Sequence, residues 1–139
     1  MGSDPATSDS LYPPTFAEVQ IPSSVARMNG VLYLAQGKGP HATVLFLHGF
    51  PGNEKNIDLA QAVRRAGLNA LVFYYRGAWG SDGQYSRSHV LEDVAAALHW
   101  LRAPAVADSY RVNWRRCGAR RSQVGSCYLV FVARASPSA

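Results

Sequence analysis

The sequence predicts an α/β fold in which a mostly parallel sheet lies between two layers of helix, and three observations carry that expectation. Thr43 to Leu47 and Asn69 to Tyr74 are continuous apolar runs, the pattern of strands buried on both faces. Between them, Asn56 to Ala66 reads as a helix closed by Gly67. The first run also ends in His48-Gly49-Phe50-Pro51-Gly52, a turn that stops a strand and lets backbone N–H groups come close to a ligand. Strand, helix, strand in this order is a right-handed βαβ crossover.

The other elements follow in order. Residues 1–15 begin with a polar segment containing Pro and Ser, which predicts a flexible leader. Phe16 to Ile21 alternates as a half-buried strand does, and Gly30 to Ala35 reads as its antiparallel partner across a turn near Arg27 to Asn29. Beyond the crossover, Ser86 to Ser88 offers a helix cap. Val90, Leu91, Val94, Ala97, Leu98 and Leu101 then recur at helical spacing until Pro104 ends the run. Residues 16–112 thus form the domain body.

The chain has 139 residues, 47% of them hydrophobic, enough for one domain with a real core. Its formal charge of +5 is unevenly spread. Residues 1–110 carry eight Lys/Arg against nine Asp/Glu, whereas residues 111–139 carry six Arg and no acid. Both cysteines, Cys117 and Cys127, lie in that last segment, and the spacing of Cys, His and acids shows neither a disulfide framework nor a metal site. No stretch approaches the apolar length of a membrane span, and Met1 to Pro14 has no basic and apolar signal pattern, so the expected location is cytoplasmic.

After Tyr110 the text changes character. An α/β sheet that has just used a helix calls for another buried strand, yet Trp114 to Gln123 is Arg-rich and cannot bury. Read one base later, codons for Cys117 to Gln123 can spell Ala-Ala-Leu-Val-Gly-His, an apolar strand. Residues 113–139 are therefore expected to be an atypical Arg-rich tail produced by a local frame error, which would leave the neighbouring strand with an unpaired edge. Tyr128 to Ala135 returns to an apolar pattern.

The apolar strand with its His48-Gly49-Phe50-Pro51-Gly52 turn, together with Tyr75-Arg76-Gly77 and the helix after it, resembles the N-terminal part of an α/β-hydrolase of the serine hydrolase, esterase or peptidase type. The resemblance implies an incomplete, N-terminal half of the three-layer fold, with Tyr128 to Ala135 as the helix that follows the nucleophile, and hydrolysis of a small ester or amide through a Ser-His-Asp triad, with no cofactor. It makes the Phe50 backbone N–H an oxyanion-hole donor, because a fixed amide dipole stabilises charge on a carbonyl oxygen without reorganising. His48, Gly49, Pro51, Gly52 and Tyr75 shape the pocket and loop. His48 braces the loop, since the family's catalytic His comes late in the chain, and Arg76 ties loops together through several hydrogen bonds. Asp82, Glu92 and Asp93 read as solvated side chains.

The nucleophile has no good candidate. Gly-x-Ser-x-Gly needs flanking glycines so that the Ser oxygen projects from a strained turn. Ser122 is nominated, but Arg120 and Val124 stand where the glycines belong; Ser126 fails in the same way, with Val124 and Tyr128. Cys117 and Cys127 have no His partner in the tail. The chain is accordingly expected to lack its triad and to be inactive. Within the same fold the alternative is an epoxide hydrolase or dehalogenase, which also favours His-Gly-x-Pro but uses an Asp nucleophile. From another class, a noncatalytic protein would bind nucleic acid through the basic tail, a reading disfavoured because the tail lacks interleaved aromatics and a regular basic helical face. Oligomeric state and substrate are left open.

Overall fold

A β-hairpin begins the architecture: β1, Thr15–Ser23, and β2, Ala26–Leu34, pair antiparallel along their whole length, from Thr15 opposite Leu34 to Ser23 opposite Ala26. The computed structural model describes residues 4–48, 56–113 and the strand 127–131. Residues 4–14 carry no helix or strand. They run along the surface, where Asp4 meets Arg64 and Arg65, Thr7 O accepts from the Gln36 amide, and Tyr12 O accepts from the Gly37 N–H.

The hairpin turn is Ser24-Val25, with Ser24 at a left-handed φ of 54°, and not the expected turn near Arg27 to Asn29. Asn29-Gly30 is a common turn pair, but here it lies inside β2. Gly30 faces Phe73 of the next strand, and a Cβ on it would stand 3.0 Å from the Val72 carbonyl oxygen. Close strand approach, not turn geometry, requires that glycine.

The next strand, β3 (Thr43–Leu47), and the strand β4 (Asn69–Phe73) are wholly buried and pair in parallel, joined by helix α1 (Ile57–Arg65). β4 also pairs antiparallel with β2, and β3 pairs in parallel with β5, Cys127–Phe131. The sheet order is β1-β2-β4-β3-β5. The apolar run after Tyr128 is therefore a strand at its start, where a helix was expected, because a short β-branched and aromatic run suits a parallel strand as well as a helix. It also pairs the β3 edge that the Arg-rich reading leaves open.

Side-chain parity sorts the core into two layers. Val44, Phe46, Ala70 and Val72 face α1 and pack with Ala60 and Tyr33. Leu45, Leu47, Leu71 and Phe73 point the other way and pack with Val19, Ile21, Met28 and Leu32 against Ala97 and Leu101 of α2 (Arg87–Arg102). The hydroxyl of Ser86 caps α2 by accepting from the His89 N–H. Pro104 does end that helix but also opens another, α3 (Pro104–Tyr110), because a proline at the first helical position loses only an N–H that would be unpaired anyway. Buried Asn69 ties the ends of these elements: its carbonyl accepts from the Ala35 N–H at 3.0 Å, and its amide donates to Tyr110 O at 3.2 Å.

Candidate active site

The carboxyl ends of β3 and β4 lie side by side because the strands are parallel and adjacent, and the crevice outside such strand ends is where open α/β sheets take their ligands. β3 delivers His48 there and β4 delivers Tyr74 and Tyr75. The Tyr75 N–H donates to His48 Nε2 at 3.2 Å. An accepting Nε2 places the ring proton on Nδ1, so the imidazole joins the two strand ends through its Nε2 lone pair. The ring is buried and lies 4.3 Å, centroid to centroid, from the ring of Tyr75 and 5.9 Å from that of Tyr74.

Tyr75 is itself enclosed. Its ring meets Phe73 edge-on at 5.5 Å and Tyr85 at 6.4 Å. Burial pushes its phenol up to about 12, with Tyr85 and Asp93 adding to the rise, so the hydroxyl stays protonated at neutral pH. Burial also raises the Tyr74 hydroxyl.

The loop from Tyr74 to Tyr85 is held by a buried ionic knot. Arg76 donates through Nε to Asp93 Oδ1 and through Nη2 to Glu92 Oε2, each at 2.6 Å, and its backbone N–H donates to Asp93 Oδ2 at 3.0 Å. Asp93 also accepts from the Ser23 hydroxyl at 2.8 Å, so one carboxylate joins β1, the loop and α2. It is 1% exposed, which corrects its reading as a solvated helix residue. Glu92 is exposed, and the hydrogen bond from Arg76 holds its carboxyl below the usual range; the same bond raises the guanidinium. Asp82 stays on the surface, paired with Arg27 at 3.1 Å. Gly77 has a φ of 76°, and a Cβ there would stand 2.5 Å from the Tyr85 nitrogen, so this turn admits only glycine.

Among the sequence-nominated residues, the structure brings His48 and Tyr75 into contact. Gly49, Phe50, Pro51, Gly52 and Ser122 lie outside the described residues, as do Ser126 and Cys117. Sequence reasoning missed Asp93, Ser23 and Asn69 as buried polar residues. Asp93 did leave a trace, since it sits between Val90 and Ala97 at helical spacing and so falls on the stripe that packs inward. Among the described residues, no group of three or more His, Cys, Asp or Glu is placed to hold a metal ion. No helix among them is long and apolar enough to cross a membrane.

Solved structures share this fold. A Pyrococcus furiosus esterase superposes with a TM-score of 0.56 at 20% identity, over 71% of this chain and 38% of that one. The ferulic acid-bound Est1E of Butyrivibrio proteoclasticus gives 0.59 at 17% identity, over 68% and 39%. A Vibrio vulnificus α/β-hydrolase gives 0.56 at 22%, over 65% and 31%. The chain has part of an α/β-hydrolase fold. No family model matches it. Among curated proteins it is 34% identical over 79 residues to an uncharacterized Mycobacterium tuberculosis protein, covering 56% of this chain and 27% of that protein. It is 30% identical over 84 residues to an uncharacterized 31.7 kDa Escherichia coli protein from the traX-finO intergenic region, covering 56% and 29%. The chain thus matches little more than a quarter of the length of these relatives.

Proposed function

We propose that this chain is the N-terminal part of a hydrolase of small ester or amide substrates and supplies the oxyanion-hole side of the site. The observation that carries the reading is the junction at His48. A fully buried parallel strand ends there, pinned through the imidazole to the Tyr75 N–H of the adjacent strand, and the sequence continues directly into Gly49-Phe50-Pro51-Gly52. A Phe50 N–H on such an anchored turn would meet the negative oxygen of a tetrahedral intermediate at no cost in reorganisation. His48 is a positioning residue in this scheme: its Nε2 is engaged by backbone, so it orients the turn and takes no substrate proton. The Pyrococcus furiosus fold neighbour, described as an esterase, supports the class of reaction.

The 139 residues contain no Gly-x-Ser-x-Gly, and we assign them no complete triad. An oxyanion hole without an aligned nucleophile and base lacks groups that act as one unit, so this chain alone is expected to turn over no activated ester and to take no fluorophosphonate label. The reading is tested by sequencing the coding DNA across Arg111 to Ala139 and the bases after it, then expressing the corrected product. A restored Val/Leu-rich strand leading to Gly-x-Ser-x-Gly, in a product labelled by fluorophosphonate, is the expected result. A clean read of the Arg-rich segment followed by a stop would defeat the frame-error account. Stoichiometric labelling of the present chain at Ser122 or Ser126 would instead make the tail a working nucleophile turn.

A further inference from the structure

Beyond β4 the sheet ladder no longer supplies partners for the backbone. Pairing of β3 with β4 stops at Phe46 and Val72, and the Tyr74 N–H still meets β2 through Asn29 O at 2.9 Å. The next two N–H groups belong to the buried residues Tyr75 and Arg76 and need partners of another kind. Each takes a side-chain acceptor from a different element. The Tyr75 N–H donates to His48 Nε2 at the end of β3, at 3.2 Å, and the Arg76 N–H donates to Asp93 Oδ2 of α2, at 3.0 Å. Asp93 is held in turn, because its Oδ1 accepts from Arg76 Nε at 2.6 Å and from the hydroxyl of Ser23 in β1 at 2.8 Å.

The two amides are mechanically linked. Peptide units are planar, so the direction of the Tyr75 N–H relative to the Arg76 N–H is set by φ and ψ of Tyr75 alone. The Tyr75 ring is enclosed by His48, Phe73 and Tyr85, which leaves those dihedrals little room. Fixing the Arg76 N–H therefore fixes the Tyr75 N–H, and with it the imidazole that accepts from it. We propose that Asp93 is a positioning residue for the site: through the Arg76 amide and the Tyr75 backbone, the buried carboxylate on α2 sets the orientation of His48, from which the sequence continues to Phe50. Its catalytic meaning depends on Phe50 being the oxyanion-hole donor, whereas the coupling from Asp93 to His48 does not. Glu92 binds the same guanidinium but has no such role, because it meets Nη2 and no backbone amide of this segment.

NMR of the full chain tests the coupling through two signals, the ¹⁵N resonances of the His48 ring and the exchange rate of the Tyr75 amide relative to that of Leu45 in β3. A residue that only adds stability moves both amides together; a positioning residue moves Tyr75 selectively. The intact chain should show an unprotonated, accepting Nε2 at His48. Asp93→Asn is isosteric but sets an amide donor against one of the Arg76 donors, and should speed Tyr75 exchange about tenfold relative to Leu45 while shifting the His48 ring signals. Ser23→Ala keeps both charges and frees one side of the carboxylate. It should give a smaller selective acceleration, about threefold, and decides the matter where D93N does not fold. Glu92→Gln removes a charge from the same guanidinium and should leave the ratio unchanged. Equal acceleration of Tyr75 and Leu45 in D93N or S23A, an E92Q variant as selective as D93N, or a proton on His48 Nε2 in the intact chain would each overturn the proposal. Corrected DNA that encodes no nucleophile would remove the catalytic meaning and leave these signals as they are.

Discussion

Two arginine–aspartate pairs secure the loop between β4 and α2, and they differ in nearly every physical respect. Arg76 and Asp93 meet at 2.6 Å with side chains 9% and 1% exposed, whereas Arg27 and Asp82 meet at 3.1 Å with side chains 65% and 48% exposed. The surface pair gains little over hydration and is screened by salt. In the buried pair each charge has been taken out of water and is tolerated only because its hydrogen-bonding capacity is met nearby: Asp93 by Arg76 Nε, the Arg76 N–H and Ser23, Arg76 also by Glu92. Enclosure, more than the identity of the partners, separates a structural tie from a solvated contact.

The largest test of that contrast is Asp93→Ala, which leaves the buried Arg76 Nε, the Arg76 backbone N–H and the Ser23 hydroxyl without their acceptor and the guanidinium with Glu92 as its remaining carboxylate. Urea unfolding should show a loss of about 3–5 kcal/mol, and a loss no larger than that of a surface pair would mean that water replaces the carboxylate. Gly77→Ala is next, because it puts a Cβ against the Tyr85 nitrogen in a left-handed turn; a cost of about 1–3 kcal/mol is expected by the same measurement.

A third test uses pH. The Tyr75 phenol is raised by burial to about 12, so the folded state holds that proton more tightly than the unfolded chain does. Its contribution to stability is complete below the ordinary tyrosine value of 10.0 and is lost as pH rises from there through about 12. Alkaline unfolding should therefore steepen above pH 10.0, and Tyr75→Phe should flatten that limb; equal slopes would place the phenol in contact with water. The smallest effect belongs to Asp82→Ala, expected to cost less than about 1 kcal/mol and less still in high salt. A larger loss would erase the distinction between the two pairs.

Much of the body was legible before any coordinates. Thr43 to Leu47 is the strand expected, and helix α1 and strand β4 begin and end within a residue or so of their expected limits. These segments are short, apolar on both faces, or bounded by Gly and Pro, so local chemistry and tertiary burial favour the same structure. The Arg76 tie was also legible as a role, though not its main partner. The errors fall where two local signals compete. Asn29-Gly30 has turn chemistry but was needed as a thin place in β2, and Tyr128 onward has an apolar pattern that suits helix and strand alike.

From the residues alone came the α/β class, the crossover, the end of a buried strand at His48 with the sequence Gly49-Phe50-Pro51-Gly52 after it, and the absence of a Gly-x-Ser-x-Gly from these 139 residues. Each rests on periodicity or on neighbours in the chain, which a sequence displays directly. Only the tertiary structure decided that His48 Nε2 is taken by the Tyr75 N–H and that Asp93 is buried beneath Arg76 and Ser23. Those contacts join residues 17 to 70 positions apart. Partnership across such distances is set by sheet order, strand register and helix packing, which no local spacing encodes.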